Sequence, residues 1–230
     1  MGLTVAVIPA LNEAASISAV VAHALRFVDR AVVIDDGSTD ATAELAVAAG
    51  AHLIRHARNL GVGAAVAAGL AHAREVEATA AVQLDGDGQH DASYVPALLE
   101  RLVEGADMAI GTRFEHGFEM GRIRKLVLGG FAWAISRRLQ QPITDPTSGF
   151  RAFNESAIDA LTPIFPVKYL SDTVEVLFLA AEAGLKIATV PVVMHQRVAG
   201  RPSAGPLRSA GYAIRMMSIV LRHMFRMRQR

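Results

Sequence analysis

A short, largely apolar run that ends in two aspartates constrains the fold of this chain more than any other feature. Residues 80–84 have the composition of a strand that is buried in a parallel sheet. The run ends abruptly in the sequence Asp85-Gly86-Asp87-Gly88-Gln89. In open α/β folds, ligands bind where the strands leave the sheet at their carboxyl ends. We therefore expect a buried strand here, with a binding site at its end.

The two carboxylates at this strand end predict a metal site. Asp85 and Asp87 are separated by one glycine, and like charges this close repel each other. A bound cation is the simplest way to keep both ionised. Oxygen ligands suit Mg²⁺ or Mn²⁺, and Gln89 offers a further neutral oxygen. Because Asp and Gly are also common in turns, an isolated motif of this kind is as compatible with a polar turn as with a metal site. The other motifs of the chain are needed to distinguish the two.

Strand-like and helix-like segments alternate through the first half of the chain. The alternation implies right-handed βαβ units and a mostly parallel sheet with helices on both faces, and Asn12 and Asp40 are expected to cap the helices that follow them. After Arg113 the alternation breaks, and residues 145–151 form a polar loop sequence. The other predicted strands are 3–8, 31–34, 51–55, 108–110 and 186–194, and the predicted helices are about 12–27, 40–49, 61–74, 94–104, 122–139 and 171–183.

Length and composition favour a single α/β domain over residues 1–205 with an appendage over residues 206–230. A chain of 230 residues can bury a sizeable core. The absence of cysteine excludes disulfides and a Cys-ligated zinc site. The chain starts directly with strand-like sequence, and no apolar run approaches the ~20 residues needed to span a bilayer. We therefore expect a cytoplasmic protein.

The C-terminal appendage is basic and amphipathic. The formal net charge is +1, yet no acidic residue follows Glu182. An apolar surface joined to arginines fits a helix in a lipid interface, at the inner face of the membrane. A core or dimer helix and a docking surface for a separate membrane subunit are the alternatives. Few aromatic residues accompany the bases, so nucleic-acid binding is not expected. The polar side of the helix carries Arg208, Gly211, Arg215, Ser218, Arg222 and Arg226.

Polar or charged residues follow four of the predicted strands. In a parallel sheet the carboxyl ends of the strands meet at one edge, so these residues are expected to line one crevice. A dinucleotide-binding enzyme is the main competitor, but Val66 occupies the third glycine position after Gly61 and Gly63, and no P-loop is present. The convergent residues are Asn12, Glu13, Asp35, Asp36, Asp85, Asp87 and Arg113.

The ordered set of motifs resembles family 2 glycosyltransferases. Within that family it is similar to the polyprenyl-phosphate sugar synthases of the dolichyl-phosphate mannosyltransferase type, and the resemblance extends from about residue 3 to residue 205. The motifs are Pro9-Ala10-Leu11-Asn12-Glu13, Asp35-Asp36-Gly37-Ser38-Thr39-Asp40, Arg58-Asn59-Leu60-Gly61, Asp85-Gly86-Asp87-Gly88-Gln89, Gly111-Thr112-Arg113 and the segment from Asp145 to Arg151.

This resemblance implies a GT-A fold and a metal-dependent, inverting transfer of a hexose from a nucleotide-diphosphate sugar to a polyprenyl phosphate. Arg113 and Arg197 are expected to meet the donor phosphates, and Asp87 and Arg113 to be catalytic. Ser203 stands where the family usually has lysine in its basic phosphate loop, and Leu11 replaces a common aromatic residue. By resemblance, Pro9, Leu11, Glu13, Ile34 and Asp36 line the base and ribose pocket, and Asp85, Asp87 and Gln89 hold Mg²⁺ or Mn²⁺ with Gly86 beside the diphosphate. An acceptor phosphate needs cations, and the candidates are Arg113, Arg122, Arg124, Lys125 and Arg151, together with Arg201 and Ser203 of the basic phosphate loop.

Two other functions remain open on the sequence. A related transferase with a hydroxyl acceptor would place a catalytic base near Asp172 or Glu175, although both are as compatible with a structural role. A catalytically idle subunit would bind nucleotide sugar and recruit a membrane partner. Asp145 is expected either to touch substrate or to orient the loop before Arg151, and a lone His195 is more often structural than a metal ligand. Sequence leaves the sugar, the base, the prenyl length and the oligomeric state undecided.

Overall fold

The computed structural model describes residues 2–113, 129–130, 132–133, 135–137, 140–167 and 173–195. One seven-stranded sheet has the strand order β3-β2-β1-β4-β6-β5-β7. Its strands are β1 (Thr4–Ala10), β2 (Arg30–Asp35), β3 (His52–Arg55), β4 (Ala80–Gln83), β5 (Met108–Thr112), β6 (Arg151–Asn154) and β7 (Ile187–Pro191). The helices are α1 (Ile17–Ala24), α2 (Thr42–Ala48), α3 (Val62–Glu75), α4 (Val95–Val103), α5 (Glu155–Leu161) and α6 (Glu175–Glu182), with 3₁₀ turns at Ala92–Tyr94 and Thr162–Ile164.

The sheet is mostly parallel, which confirms the prediction. Strand β6 is the exception within the described residues, since it pairs antiparallel with both β4 and β5. It lies where the sequence predicted the end of a loop, because its four residues, two of them polar, are too few to show a strand pattern. An antiparallel strand starts at the edge where its neighbours end. The loop before Arg151 therefore reaches the carboxyl edge of the sheet.

Helices cover both faces of the sheet, and the sheet separates the hydrophobic core into two layers. Val5 and Val7 of β1 belong to the layer beneath α3, whereas Ala6 and Ile8 belong to the layer beneath α1 and α4. This division follows from the alternation of side chains along a strand. Gly69 lets α3 approach β1, because a Cβ there would lie 2.2 Å from Cγ1 of Val7. The Gly/Ala-rich segment is thus a packing helix.

Two predicted caps differ in outcome. Asn12 does not cap α1, which begins at Ile17; it has a positive φ of 56°, and its Oδ1 accepts a hydrogen bond from the Thr39 backbone at 2.8 Å. Asp40 does serve the start of α2, since its carboxylate accepts from the Thr42 backbone at 3.0 Å. The cap predicted for Asn12 is therefore wrong, whereas the Asp40 side chain does bond to the first residue of α2.

Several predicted elements lie outside the described residues, namely 122–128 of the predicted basic helix and all of residues 206–230. Among the described residues, none of the helices has the length and hydropathy that crossing a bilayer requires.

Candidate active site

The carboxyl edge of the sheet brings the predicted motifs together. The Asp36 backbone donates to Ala10 O at 2.9 Å, and the Gly86 backbone donates to Pro9 O at 3.3 Å. The Gly111 backbone donates to Phe150 O at 2.9 Å, which joins the loop before β6 to the end of β5. Residues far apart in sequence therefore line one edge, as the strand pattern predicted.

The turn after β4 presents one carboxylate to solvent and holds the other inside. The Asp85 side chain is 37% exposed. Asp87 is buried, and its Oδ1 accepts a hydrogen bond from the Gln89 backbone at 2.9 Å. A Cβ on Gly149 would lie 3.4 Å from Oδ1 of Asp85, so the loop before β6 passes directly beside this carboxylate. The turn and the loop form one rim.

The donor set at this rim fits a hard divalent cation. Within the described part of the chain, the Asp85 carboxylate accepts no hydrogen bond, and His90 Nε2 is 3.6 Å from its Oδ2. A partly exposed carboxylate without a protein donor keeps its lone pairs for another ligand. Magnesium-type ions commonly bind to one or two carboxylates and complete their shell with water and substrate phosphates. Asp85 and Asp87, with Gln89 in the same turn, would hold such an ion, although no cluster of three or more His, Cys, Asp or Glu ligands exists among the described residues.

The end of β2 is organised by two buried aspartates. Asp36 accepts hydrogen bonds from His56 Nδ1 at 2.7 Å, from the Leu60 backbone at 2.9 Å and from the Gly61 backbone at 2.7 Å. Its carboxylate therefore fixes the Arg58-Asn59-Leu60-Gly61 loop against the sheet edge. Asp35 is fully buried, and Arg55 Nε lies 3.0 Å from its Oδ2 without the alignment of a hydrogen bond.

The residues predicted to line the base and ribose pocket divide into exposed and buried ones. Leu11 is 37% exposed at the end of β1 and can contact a bound base. Glu13 is half-buried, and its Oε2 is 3.3 Å from the Ser16 hydroxyl, which itself donates to Gly86 O at 2.8 Å. Pro9 is buried beside Ile34 in the sheet. Pro9 and Glu13 lie next to the turn after β4, and their role in a base and ribose pocket stays a prediction.

Ile34 requires a correction. Its side chain is fully buried and reaches the α3 face, where its Cδ1 would be 2.8 Å from a Cβ on Gly69. The alternation of side chains along β2 turns it into the core, while Asp35 and Asp36 continue to the edge. Ile34 supports the pocket floor from inside and does not line it.

Arg113 is held by the loop before β6. Its Nε lies 2.6 Å and its Nη2 2.9 Å from the two oxygens of Asp145, and Nη2 also donates to the Thr147 hydroxyl at 2.7 Å. Asp145 is fully buried, whereas the Arg113 side chain is 24% exposed. Of the two roles expected for Asp145, this geometry favours orienting the loop. The salt bridge with Asp145 therefore holds the positively charged guanidinium of Arg113 at the rim of the crevice.

Arg151 also requires a correction. It was a candidate for the acceptor phosphate, but it is buried, and its Nη2 donates to the backbone carbonyls of Pro146 and Thr173. Arg151 is the first residue of β6 and points into the protein, where it ties the loop to the segment before α6. Its burial argues against a surface role at the acceptor.

The residue that sequence reasoning missed is His90. It was given no role because a single histidine after a turn has no spacing signal. In the structure its Nδ1 accepts a hydrogen bond from the Asp85 backbone at 3.0 Å. Its ring stacks on Phe150 with a centroid distance of 5.0 Å. His90 therefore touches both sides of the rim.

His195 pairs with Asp91 just beyond the turn. Its Nε2 is 3.3 Å from Asp91 Oδ2, and its backbone donates to Gln89 O at 2.9 Å. Burial raises the pKa of Asp91. The hydrogen bonds from Ser93 and the neighbouring His195 lower it by a larger amount, so the pKa lies below its usual range. The pairing agrees with the structural role that was favoured for His195.

The remaining predicted residues lie largely beyond the part of the chain that the structure describes. Glu175 is the first residue of α6. Outside the described residues are Arg122, Arg124, Lys125, Asp172, Arg197, Arg201 and Ser203.

The fold is of the GT-A type, and comparisons with known proteins identify the chain as a glycosyltransferase. The sequence profile described as "Glycosyl transferase family 2" matches residues 5–162. The chain therefore belongs to glycosyltransferase family 2, and the predicted family and fold are confirmed.

Relatives and solved structures differ in the acceptor that their names give. Polyprenol monophosphomannose synthase from Mycolicibacterium smegmatis is 29% identical over 92% of this chain and 85% of its own. UDP-N-acetylglucosamine–dolichyl-phosphate N-acetylglucosaminyltransferase from Methanococcus voltae is 28% identical over 81% of this chain and 83% of its own. The crystal structure of glucosyl-3-phosphoglycerate synthase from Mycobacterium tuberculosis with Mn²⁺, UDP and glucosyl-3-phosphoglycerate is 26% identical, with a TM-score of 0.75 over 96% of this chain and 80% of that one.

Proposed function

We propose that this glycosyltransferase moves a hexose from a nucleotide-diphosphate sugar to a polyprenyl phosphate, with inversion and with Mg²⁺ or Mn²⁺ as cofactor. The transfer is assigned to the cytoplasmic face of the membrane, reached through residues 206–230 or a membrane subunit. The observation that carries the proposal is the Asp85 carboxylate, partly exposed at the sheet edge and beside Asp87. Two relatives whose names specify a polyprenyl or dolichyl phosphate acceptor support the choice of acceptor.

The donor side of the reaction is assigned to the ends of β1, β2 and β4. Leu11 supplies an apolar wall for the base, and Asp36 and Glu13 are carboxylates near the ribose position. The metal, when bound, neutralises the diphosphate and helps it to leave as an anion. Asp85 and Asp87 would hold and orient that centre, while Arg113, fixed by Asp145, would place its guanidinium at the same rim to meet the phosphates.

An acceptor phosphate simplifies the chemistry that the protein has to perform. Its oxygen is already ionised near neutral pH, so no strong general base is required. The side chains then need only to position the two substrates and to stabilise the developing charge. The phosphate oxygen attacks the anomeric carbon as the bond from that carbon to the nucleoside diphosphate breaks, and the configuration at that carbon is inverted.

A transfer assay with matched variants tests the proposal. Purified protein is incubated with candidate nucleotide-diphosphate sugars, Mn²⁺ and undecaprenyl phosphate, and Asp87→Ala is compared with Asp159→Ala, an exposed residue on α5. Wild type and Asp159→Ala should form the lipid-linked sugar, whereas Asp87→Ala should lose at least 100-fold in rate. The absence of turnover with every donor and acceptor would favour the idle subunit.

A hydroxyl acceptor is the second candidate, and the match to glucosyl-3-phosphoglycerate synthase favours it. An alcohol must lose a proton as it attacks, so this reaction needs a general base. Glu175, at the start of α6, is a candidate for that base. Glu175→Gln should abolish transfer to an alcohol such as phosphoglycerate, but should leave transfer to a lipid phosphate within a few-fold of wild type.

A further inference from the structure

His90 is placed to hold both the backbone and the side chain of Asp85. Its Nδ1 accepts the Asp85 N–H at 3.0 Å, and its Nε2 is 3.6 Å from Asp85 Oδ2. The hydrogen bond joins the first and the last residue of the turn formed by residues 85–90. The two ring nitrogens therefore lie near two different atoms of Asp85, its backbone nitrogen and its Oδ2.

The hydrogen bond also fixes which ring nitrogen carries the proton. A nitrogen that accepts a hydrogen bond from a backbone N–H has to present a lone pair. In the neutral imidazole the proton then belongs to Nε2, the nitrogen that faces the Asp85 carboxylate. The distance from Nε2 to Oδ2, 3.6 Å, is too long for a hydrogen bond, so the contact attracts the carboxylate electrostatically and leaves the lone pairs of both oxygens for another ligand.

The surroundings keep the His90 ring in this orientation. Its side chain is only 1% exposed, and it stacks on Phe150 with an interplanar angle of 17°. Phe150 is buried and its carbonyl accepts the Gly111 backbone. The His90 backbone forms an antiparallel bridge with Met194. The stack fixes the plane of the ring, and the hydrogen bond from the Asp85 backbone to Nδ1 fixes which edge of the ring faces Asp85.

We infer that His90 is a positioning residue for the metal-holding carboxylate of Asp85. Its Nδ1 fixes the backbone from which the carboxylate projects, and its ring edge, with Nε2 3.6 Å from Oδ2, lies beside the carboxylate and limits the directions in which it can point. Partners of this kind behind a ligating carboxylate typically change metal affinity 10–100-fold when they are removed. This inference rests on the proposed function, since it assumes that Asp85 binds a metal.

Direct measurement of metal binding tests the role. Full-length protein is titrated with Mn²⁺, and the electron paramagnetic resonance signal of the free ion is followed without nucleotide and with each ribonucleoside diphosphate. His90→Phe keeps a ring that can stack on Phe150 but has no nitrogen, and it should weaken Mn²⁺ binding 10–100-fold. His90→Asn, whose Oδ1 can still accept the Asp85 N–H, should lose less, and the same order should appear in KM for the metal more than in kcat.

A matched substitution elsewhere controls for the loss of a stacked imidazole. His72 stacks on His52 with a centroid distance of 4.5 Å, on α3 and away from the crevice. His72→Phe should leave Mn²⁺ affinity within twofold of wild type. Wild-type affinity in both His90 variants would overturn the positioning role while leaving the proposed function intact. If wild type itself bound no Mn²⁺ under any condition, both would be overturned.

Discussion

At the scale of single residues, the crevice depends on charges that the protein has already paired. Asp36 accepts three hydrogen bonds and Asp145 is bound to Arg113, so neither carboxylate is a free surface group. Asp85 differs, because its side chain is partly exposed and accepts no hydrogen bond within the described residues. This contrast separates residues that build the site from the residue best suited to bind a ligand.

The buried pair of Arg113 and Asp145 is expected to matter far more for stability than an exposed pair. Asp145→Asn removes a fully buried charge partner and should lower the free energy of unfolding by about 3 kcal/mol, because the remaining charge is poorly solvated. Urea unfolding monitored by circular dichroism measures the change. Asp159→Asn breaks the exposed pair with Arg74 and should cost at most ~0.5 kcal/mol. Equal losses in the two variants would contradict this account.

At the scale of secondary-structure elements, strand β3 and helix α3 meet through two stacked imidazoles. His52 and His72 lie 4.5 Å apart between ring centroids, nearly parallel. Burial, together with the charges of His52 and Arg30, lowers the pKa of His72, although nearby Glu75 opposes the shift. The folded protein therefore favours the neutral form of this side chain more than the unfolded chain does.

Acidification should weaken the contact between β3 and α3. A histidine whose pKa is lowered by folding binds a proton more readily in the unfolded chain, so stability falls as the pH drops below the ordinary value of 6.5. Urea unfolding of wild type and His72→Phe at pH 7.5 and 5.5 tests this, and wild type should lose more stability. Glu75→Gln, which removes the opposing charge, should enlarge the loss. A smaller loss in wild type than in His72→Phe would refute the assignment.

The elements built from local patterns could be predicted, and those that depend on tertiary pairing could not. Strands β1, β2 and β4 are largely apolar and lead within two residues into Asn or Asp, so their position and the convergence of their ends could be inferred from the sequence. Strand β6 gains its structure from two neighbours, and nothing in Arg151–Asn154 announces an antiparallel pairing. Arg151 was wrongly predicted to face the acceptor phosphate and Ile34 to line the nucleotide pocket, because both side chains are buried. Whether a residue near a strand end faces the core or the crevice depends on the exact register.

At the scale of the whole molecule, charge is distributed unevenly along the chain. The aspartates of the crevice lie in the first half and in the loop before β6, whereas no acid follows Glu182. A surface carrying one sign of charge attracts the opposite sign over about a Debye length. In the proposed function, the basic C-terminal sequence would bring the enzyme to an anionic bilayer that contains the polyprenyl phosphate.

Neutralising the C-terminal arginines should weaken binding to anionic vesicles. Replacing Arg208, Arg215, Arg222 and Arg226 by Gln in the full chain should remove most co-sedimentation with phosphatidylglycerol vesicles, because each base near such a surface contributes about 1 kcal/mol. Phosphatidylcholine vesicles should bind little of either protein. The control changes the same total charge elsewhere, at Arg26, Arg30, Arg74 and Arg101, and should retain binding. Equal losses in both would show that net charge, not this segment, is responsible.

The antiparallel course of β6 has a consequence for how such enzymes diversify. The chain leaves the crevice after β5 and re-enters it just before β6, so the intervening stretch begins and finishes on the same side of the sheet. Changes there that spare the core residues Ile135 and Ile143 and the Asp145 contact to Arg113 are expected to leave the pairing of β4, β5 and β6 unchanged. The same strand order can therefore carry different connecting segments at this edge of the sheet.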